Sequence, residues 1–187
     1  MAQRKDRRTW PRWLMASIAL VALAMVVAAM LPAPDKPTRI DTVVEIARSP
    51  QEVFDYATTP GNWPKWHPSS LAVSGETDHP LRVGERVTED YIVAGRRGRT
   101  VWVVVERDAP RRWKIESLGA KGGQAWITYT FTDLGDRTRF ERELLYRMPN
   151  LLAALLDPVL TRGKITEESL VALRQLKRVL EQPHFSF

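Results

Sequence analysis

The sequence predicts an α+β domain in which a curved sheet of seven antiparallel strands wraps around one long C-terminal helix. A single transmembrane helix is predicted to precede this domain. Three observations support this fold class. An uncharged apolar run lies near the N-terminus, strand-like segments separated by turn residues fill the middle of the chain, and a helix with one apolar face ends it. The 187 residues leave room for one such domain with its own apolar core.

Composition and charge exclude several classes of site. The chain has no cysteine, which excludes disulfides, thiolate nucleophiles and thiolate zinc sites. The formal net charge is +6, but residues 1–12 alone hold five basic side chains and one aspartate. A nucleic-acid-binding domain concentrates its positive charge on the folded surface instead. We therefore expect no nucleic-acid partner.

The first predicted element is a membrane-spanning helix over residues 13–31. This stretch carries no charged side chain, and at about 1.5 Å per residue it is roughly 28 Å long, close to the ~30 Å hydrocarbon core of a bilayer. Because the basic tail of residues 1–12 precedes it, the positive-inside rule predicts a cytoplasmic N-terminus and an exported domain. We expect a single-pass protein of the inner (cytoplasmic) membrane with a periplasmic or otherwise extracytoplasmic domain.

A cleaved signal peptide is the alternative for this segment. Val27-Ala28-Ala29 offers the small residues of a cleavage site. The apolar run is longer than the usual core of about 7–15 residues in a signal peptide, which favours a retained anchor. Residues 32–38 (PAPDKPT) then predict a short Pro-rich linker between the membrane and the domain.

The ligand-binding domain is expected over residues 39–182 and begins with a strand at Ile40–Ala47. A short helix over Pro50–Ala57 follows, because Ser49 can cap it and Glu52 can complete a capping box. After Pro60-Gly61, a second short helix or a loop is predicted to contain two tryptophans and a histidine.

Six further strands are predicted, each rich in β-branched or aromatic residues and bounded by turn residues. They are Leu71–Gly75, Glu85–Val93, Arg99–Arg107, Arg112–Ser117, Gln124–Thr132 and Arg137–Tyr146. Short connections, including Gly95–Gly98 and the glycine-rich Gly119–Gly123, join them. Connections of this length predict an antiparallel meander.

The C-terminal part of the chain predicts two helices. Leu151–Leu160 forms the first, and Pro158 marks a break or kink near its end. Thr166–Glu181 forms the second, with Thr166 as its cap and with leucines and a valine on one stripe. A curved sheet needs an apolar cover for its concave face, and this stripe is the only large one available.

Several motifs carry a resemblance to a known family. They are SPQEVFDY at residues 49–56, PGNWPKWHP at residues 60–68, YTFTDLGDRTR at residues 129–139 and the helix over Leu170–Leu180. With these motifs the chain resembles the START-like superfamily (the SRPBCC group), and within it the bacterial polyketide cyclase/dehydrase and lipid-transport branch. The resemblance covers about residues 39–181. It implies a helix-grip fold with a hydrophobic cavity between the sheet and the long helix.

Strand alternation predicts which side chains line the cavity that the resemblance implies. The expected ligand contacts are Trp63, Trp66, Trp102, Trp113, Phe140, Arg142, Leu144 and Tyr146. The tryptophans before the second strand form either a gate over the cavity or a core that plugs the open end of the sheet. Arg142 needs a partner when buried, so it pairs with Glu106 or Glu89, anchors the head group of a ligand, or lies at a hydrated edge position that needs no partner.

The sequence offers little catalytic chemistry. His67, Asp90 and Glu106 are weak candidates for proton transfer, because burial in an apolar cavity raises the pKa of a carboxyl group. The chain has no HExxH motif, no paired histidine ligands, no GxSxG elbow and no dinucleotide fingerprint. We expect no metal site and no cofactor.

Three functions remain open from the sequence. The first is an anchored carrier that binds a hydrophobic small molecule such as a lipid, a quinone or a polyketide-like compound. The second is an enzyme of the cyclase/dehydrase kind, although its thioester substrates are usually cytoplasmic. The third is a non-catalytic interaction or stress-response domain that uses the basic turn Arg96–Arg99 towards anionic head groups or a protein. The fold itself does not choose among them, and the sequence sets no oligomeric state.

Overall fold

The computed structural model describes residues 11–118 and 123–182. Most of the basic N-terminal tail and most of the expected Gly119–Gly123 turn lie outside the described residues. The helices and strands in chain order are α1 (Arg12–Met30), β1 (Thr38–Ile46), α2 (Pro50–Thr58), a 3₁₀ turn (Pro60–Asn62), α3 (Trp63–Trp66), β2 (Ser70–Gly75), β3 (Arg86–Val93), β4 (Arg96–Asp108), β5 (Arg112–Leu118), β6 (Gln124–Asp133), β7 (Thr138–Arg147), α4 (Leu151–Leu160) and α5 (Arg162–Glu181).

The seven strands form one antiparallel sheet in the order β1-β7-β6-β5-β4-β3-β2. Strands β2 to β7 follow one another as a meander, and β1 pairs with the outer side of β7. Helix α5 packs against β1 and α3, and it buries Leu173 and Leu176. The predicted helix-grip arrangement of seven antiparallel strands and a long C-terminal helix is confirmed.

Two local features confirm or correct the sequence-based boundaries. The capping box of α2 is present, because Glu52 accepts from the Ser49 backbone N–H at 3.0 Å and the Ser49 hydroxyl accepts from the Glu52 N–H. The β3–β4 turn, however, lies at Ala94-Gly95, not at Gly95–Gly98. Both turn residues have positive φ (49° and 79°), as a two-residue type I′ turn requires. Arg96 therefore begins β4.

The long helix also begins earlier than predicted. It starts at Arg162, directly after α4, and the Thr166 hydroxyl donates to the Arg162 carbonyl at 2.9 Å. Thr166 therefore lies inside the first turns of α5, and its expected role as the N-cap is wrong. The connection between α4 and α5 is Thr161 alone.

One end of the concave face is filled by aromatic rings. Tyr129 lies 5.2 Å from Trp113 and 5.1 Å from Phe140, measured between ring centroids, and Phe54 of α2 lies 5.2 Å from Phe131. These five residues form the aromatic cluster. Because α2 covers this end, the sheet is solid here, and any internal space must lie towards the other end of the strands.

We expect Leu176→Ala to lower the free energy of unfolding by about 2–5 kcal/mol, because Leu176 is fully buried under the sheet. Leu170→Ala, on the exposed side of the same helix, is the matched control and should cost less than about 1 kcal/mol. Urea unfolding of the full chain in a mild detergent, followed by tryptophan fluorescence, measures both. Equal losses for the two variants would contradict the packing of α5 described here.

Candidate ligand cavity

A cavity of about 400 Å³ lies between the concave face of the sheet and the first turns of α5. Strands β3 to β7, helix α3 and the beginning of α5 contribute its walls, and most of the lining is apolar. Small-molecule sites usually span about 300–1,000 Å³. The cavity therefore has the size and polarity of a site for a small hydrophobic ligand.

The structure brings most of the predicted contact residues to this cavity. Those that line it are Trp63, Trp66, Trp102, Arg142, Leu144 and Tyr146. Trp113 and Phe140 also point to the concave side, but they lie in the aromatic cluster on either side of Tyr129. They support the ring of Tyr129, which lines the cavity in their place.

The two tryptophans of α3 form a buried wall and not an open rim. Trp66 is fully buried and meets Tyr129 edge to face, with ring centroids 6.4 Å apart. Trp63 is also buried, and its indole N–H donates to the Ala57 carbonyl at 3.0 Å. These rings therefore belong to the core and line the cavity at the same time.

Arg142 is a buried cation on the cavity wall. It is 4% exposed, and one terminal guanidinium nitrogen donates to the Ser169 hydroxyl of α5 at 3.2 Å. Its Nε–H has no hydrogen-bond partner among the residues that the structure describes. Among the described residues, no ion pair includes Arg142. A buried, uncompensated guanidinium is costly, so this position demands an explanation beyond packing.

Glu106 does not supply the missing carboxylate. The register of β4 shifts between Val104 and Glu106, which leaves Val105 unpaired as a bulge. This extra residue reverses the alternation, so Glu106 lies on the convex face and pairs with Arg112 at 2.7 Å. Arg107 takes the inner side instead and lies over the ring of Phe54. The predicted inward position of Glu106 is therefore wrong.

Glu89 reaches the cavity, as does Glu168, which accepts from the Ser69 hydroxyl and the Ala94 N–H. Glu89 lies opposite Thr100 on the concave side and accepts from the indole N–H of Trp102 at 2.7 Å. Burial raises its pKa, although the hydrogen bonds and the charge of Arg142 act in the other direction. Glu89 therefore binds its proton more readily than an exposed glutamate does, and it lies near Arg142 without forming one of the ion pairs of the described residues.

The other titratable groups near Arg142 are uncharged at neutral pH. Burial, followed by the charge of Arg142, lowers the pKa of His67 to about 3. Burial raises the pKa of Tyr129 to about 12. Both side chains line the cavity. Arg142 therefore has two neutral titratable neighbours on the cavity wall, His67 and Tyr129.

Asp90 lies outside the cavity. It is on the convex face, where Arg99 donates to its two oxygens at 2.6 and 2.9 Å. The described residues bring together one set of potential metal ligands, Glu76, Asp78 and His79, and this set is at the surface, away from the cavity. Of the three weak catalytic candidates, only His67 lines the cavity.

Several buried donors around the cavity find no hydrogen-bond partner in residues 11–118 and 123–182. They are the Trp66 indole N–H, the Thr100 hydroxyl and the Nε–H groups of Arg142 and Arg147. Ser169 is a further polar wall residue that the sequence analysis missed. Its spacing from Leu173 and Leu176 places it on the buried stripe of α5, and a serine within that stripe was the signal that could have found it.

Comparison with known proteins identifies the family. Residues 37–181 match the model of the family described as polyketide cyclase/dehydrase and lipid transport. The chain belongs to this family. The resemblance seen in the motifs is thereby confirmed, and members of this family typically bind hydrophobic ligands. No protein of curated function matches the chain.

Solved structures share the fold of this member of the polyketide cyclase/dehydrase and lipid transport family. The TTHA0849 protein from Thermus thermophilus is 17% identical, with a TM-score of 0.64, over 76% of this chain and 97% of that protein. A START superfamily protein from Mycobacterium smegmatis is 16% identical (TM-score 0.58; 77% and 97% covered). Ginseng major latex-like protein 151 from Panax ginseng is 12% identical (TM-score 0.60; 78% and 99%). At these identities the likeness concerns the fold.

We expect His67→Gln to remove a pH dependence of stability in this family member. The fold favours neutral His67, so its contribution is present above pH 6.5 and is lost as the pH falls from 6.5 towards 3. Between pH 6.5 and 5, the wild-type chain should lose up to about 1.4 kcal/mol per pH unit more than the variant. Urea unfolding at a series of pH values measures the difference.

His79→Gln is the control for this experiment. His79 contacts Asp78 and Glu85 at the surface, and these hydrogen bonds raise its pKa. Its contribution is present below pH 6.5 and is lost as the pH rises through the raised pKa, which is the opposite sign. Parallel stability curves for the wild type and His67→Gln would mean that the His67 ring titrates as it does in water.

Proposed function

We propose that this chain is a membrane-anchored extracytoplasmic domain that binds and carries a hydrophobic small molecule, such as a lipid, a quinone or a polyketide-like compound. The observation that carries the proposal is the apolar cavity with a buried guanidinium on its wall that forms no ion pair with a described residue. Apolar walls favour the body of such a ligand, and Arg142 favours a polar end group. The cavity is thus suited to an amphiphilic molecule.

The polar end of the ligand is an acceptor of hydrogen bonds. The unpartnered groups on the wall include the Nε–H of Arg142 and the indole N–H of Trp66, which can only donate. A carboxylate placed against Arg142 would accept charge-assisted hydrogen bonds and compensate the buried charge. An anionic or strongly polar head group on an apolar body is therefore the ligand class we propose.

The membrane part of the proposal rests on α1. This helix is 19 residues long, carries no charged residue after Arg12, and none of its residues is buried against the domain. We propose that residues 13–31 are a retained anchor in the inner membrane, residues 1–12 a cytoplasmic tail, residues 32–38 a linker, and residues 39–182 the exported ligand-binding domain. Tethering would give the domain a high effective concentration of ligands dissolved in the bilayer.

The contacts in the cavity favour binding over a cyclase/dehydrase reaction. Acid–base catalysis uses titratable groups within hydrogen-bond reach of one another or of the substrate. Glu89 accepts from Trp102, and Arg142 donates to Ser169. Within the described part of the chain, no hydrogen bond joins His67, Glu89 and Tyr129 to one another. We therefore place the enzyme second, with His67 as its remaining candidate.

Native mass spectrometry with lipid extraction tests the carrier proposal. We expect the full chain, purified from its own host in a mild detergent, to retain one amphiphilic molecule per chain. Ile127→Trp should abolish this occupancy, because Ile127 lines the cavity and the larger ring fills it. Val43→Trp, on the exposed face of β1, is the control and should retain the ligand.

Two results would contradict the carrier function. The first is a wild-type chain that is reproducibly empty and takes up no fatty acid or quinone from a panel. The second is equal occupancy in the wild type and Ile127→Trp, which would place the bound molecule outside the cavity.

We expect Arg142→Met to weaken the binding of a fatty acid about 10- to 100-fold, because the charge-assisted hydrogen bonds to the carboxylate are lost. Binding of the fatty alcohol of the same chain length should change little. Arg107→Met is the matched control, since Arg107 lies on the same face of the sheet but over Phe54, away from the cavity. Displacement of a fluorescent fatty acid measures the affinities. An equal loss for acid and alcohol would contradict a role for the guanidinium in head-group binding.

A further inference from the structure

Helix α4 exposes its apolar side chains and buries its charged one. Asp157 is the only charged residue of the helix and is 3% exposed. Leu155 and Val159 are 64% and 84% exposed, and their neighbours Leu156, Pro158 and Leu160 are exposed as well. A helix that borders on water has the reverse arrangement. The outer face of α4 is therefore built for an apolar environment.

The buried aspartate fixes the rotation of α4. The Tyr146 hydroxyl lies 2.9 Å from both Asp157 oxygens, and the Thr38 hydroxyl donates to one of them at 3.2 Å. Tyr146 belongs to β7 and Thr38 begins β1. With Asp157 held against these two strands, the leucine face of α4 points away from the domain.

The position of α4 links this face to the predicted membrane helix. Helix α1 packs against α4, and the Leu151 N–H donates to the Leu31 carbonyl at 3.0 Å. Helix α4 therefore begins where α1 ends. When α1 spans the bilayer, α4 lies at the level of the bilayer surface, and its exposed face continues the apolar surface of α1.

The cavity extends to the same end of the sheet. Thr38 of β1 lies opposite Tyr146, and Gln124 of β6 lies opposite Arg147. The first residues of β1 and β6 and the last residues of β7 therefore lie at the same end of the sheet. Met148, just before α4, and Ile165, just after it, line the cavity. The lining residues Arg97, Gln124 and Pro149 at this end are exposed to solvent, so the open side of the cavity is next to α4.

Basic side chains surround this region. Arg96 and Arg97 are exposed at the β3–β4 turn and also line the cavity. Arg162 and Lys164 are exposed in the first turn of α5, directly after α4. An apolar patch bordered by arginine and lysine is typical of a surface that binds anionic lipid head groups.

We propose that the exposed face of α4 lies in the head-group region of the bilayer that holds α1, so that the cavity entrance meets the membrane surface. The partner is a lipid bilayer containing anionic lipids. A ligand then passes between the acyl region and the cavity without crossing bulk water. This inference rests on the membrane anchoring of the proposed function but not on the identity of the ligand.

The absence of cysteine makes a direct test possible, because each introduced cysteine is a unique labelling site. Leu156→Cys and Val159→Cys are labelled with an environment-sensitive fluorophore in the full chain, which is reconstituted into phosphatidylcholine–phosphatidylglycerol vesicles. Doxyl-labelled lipids then quench any probe inside the bilayer. We expect strong quenching at both positions, and stronger quenching by lipids labelled at acyl carbon ~5 than at carbon ~12, as for a helix in the interface.

Two further sites calibrate the measurement. Val21→Cys, in the middle of α1, should be quenched more by the deeper label. Leu134→Cys, in the β6–β7 turn at the opposite end of the sheet, should not be quenched, although Leu134 and Leu156 are equally exposed at 44%. Adding Leu155→Glu and Val159→Glu to the Leu156→Cys chain should reduce quenching at position 156, because charged side chains leave the interface.

Three outcomes would overturn the inference. Quenching at position 21 without quenching at positions 156 and 159 would leave the anchor in place but remove α4 from the bilayer. No quenching at any of the three positions would overturn the anchoring as well. Disulfide formation between two Leu156→Cys chains, with an unquenched probe, would show that a second copy of the chain covers α4.

Discussion

The structure depends on how side chains fill the space under the concave face of a strongly curved antiparallel sheet. Seven strands enclose more volume than one helix occupies, so side chains must fill the remainder or leave it open. At one end, under α2, the aromatic cluster fills it completely. At the other end, the face is lined by shorter or polar side chains, including Thr100, Ser117 and Ser169. The cavity is the part of the concave face that the core does not reach.

Arg142 lies at the boundary between these two regions. It pairs in register with Tyr129, the last ring of the aromatic cluster that faces the cavity. Its charge helps to keep His67 neutral and acts against the rise that burial causes in the pKa of Glu89. One cation thus sets the electrostatics of the inner cavity without forming an ion pair with any described residue. Such a site is poised for a ligand, because a bound anion would remove an existing electrostatic cost.

The sequence predicted the fold well because the signals that specify it are local. Alternation of inward and outward residues predicted the strands, the capping box predicted the start of α2, and one apolar stripe predicted α5. Alternation also placed Arg142 on the inner face. It failed at Glu106, since a bulge adds one residue without a sequence signal strong enough to show it. Alternation also could not show that Trp113 and Phe140 pack in the core and do not line the cavity, because side chains of both kinds point to the concave side of the sheet.

The sequence did not predict that α4 exposes its apolar face and buries its aspartate. Leu151–Leu160 was predicted to be a helix, but its sequence alone does not say which side meets the domain. That side is set by Asp157, which contacts Tyr146 of β7 and Thr38, and Thr38 lies 119 residues away in the chain. Long-range contacts of a single polar residue can therefore decide what a whole helix presents to its surroundings.

The short connection between α1 and β1 limits where a bound ligand can be exchanged. Residues 31–37 separate the two elements, and seven residues extend to at most ~25 Å. With α1 in the bilayer, the domain cannot leave the membrane to deliver its cargo elsewhere. Ligand exchange is then confined to the membrane. The acceptor of the ligand must reside in the same leaflet or bind to it transiently, and the rate of transfer depends on how often donor and acceptor meet by lateral diffusion.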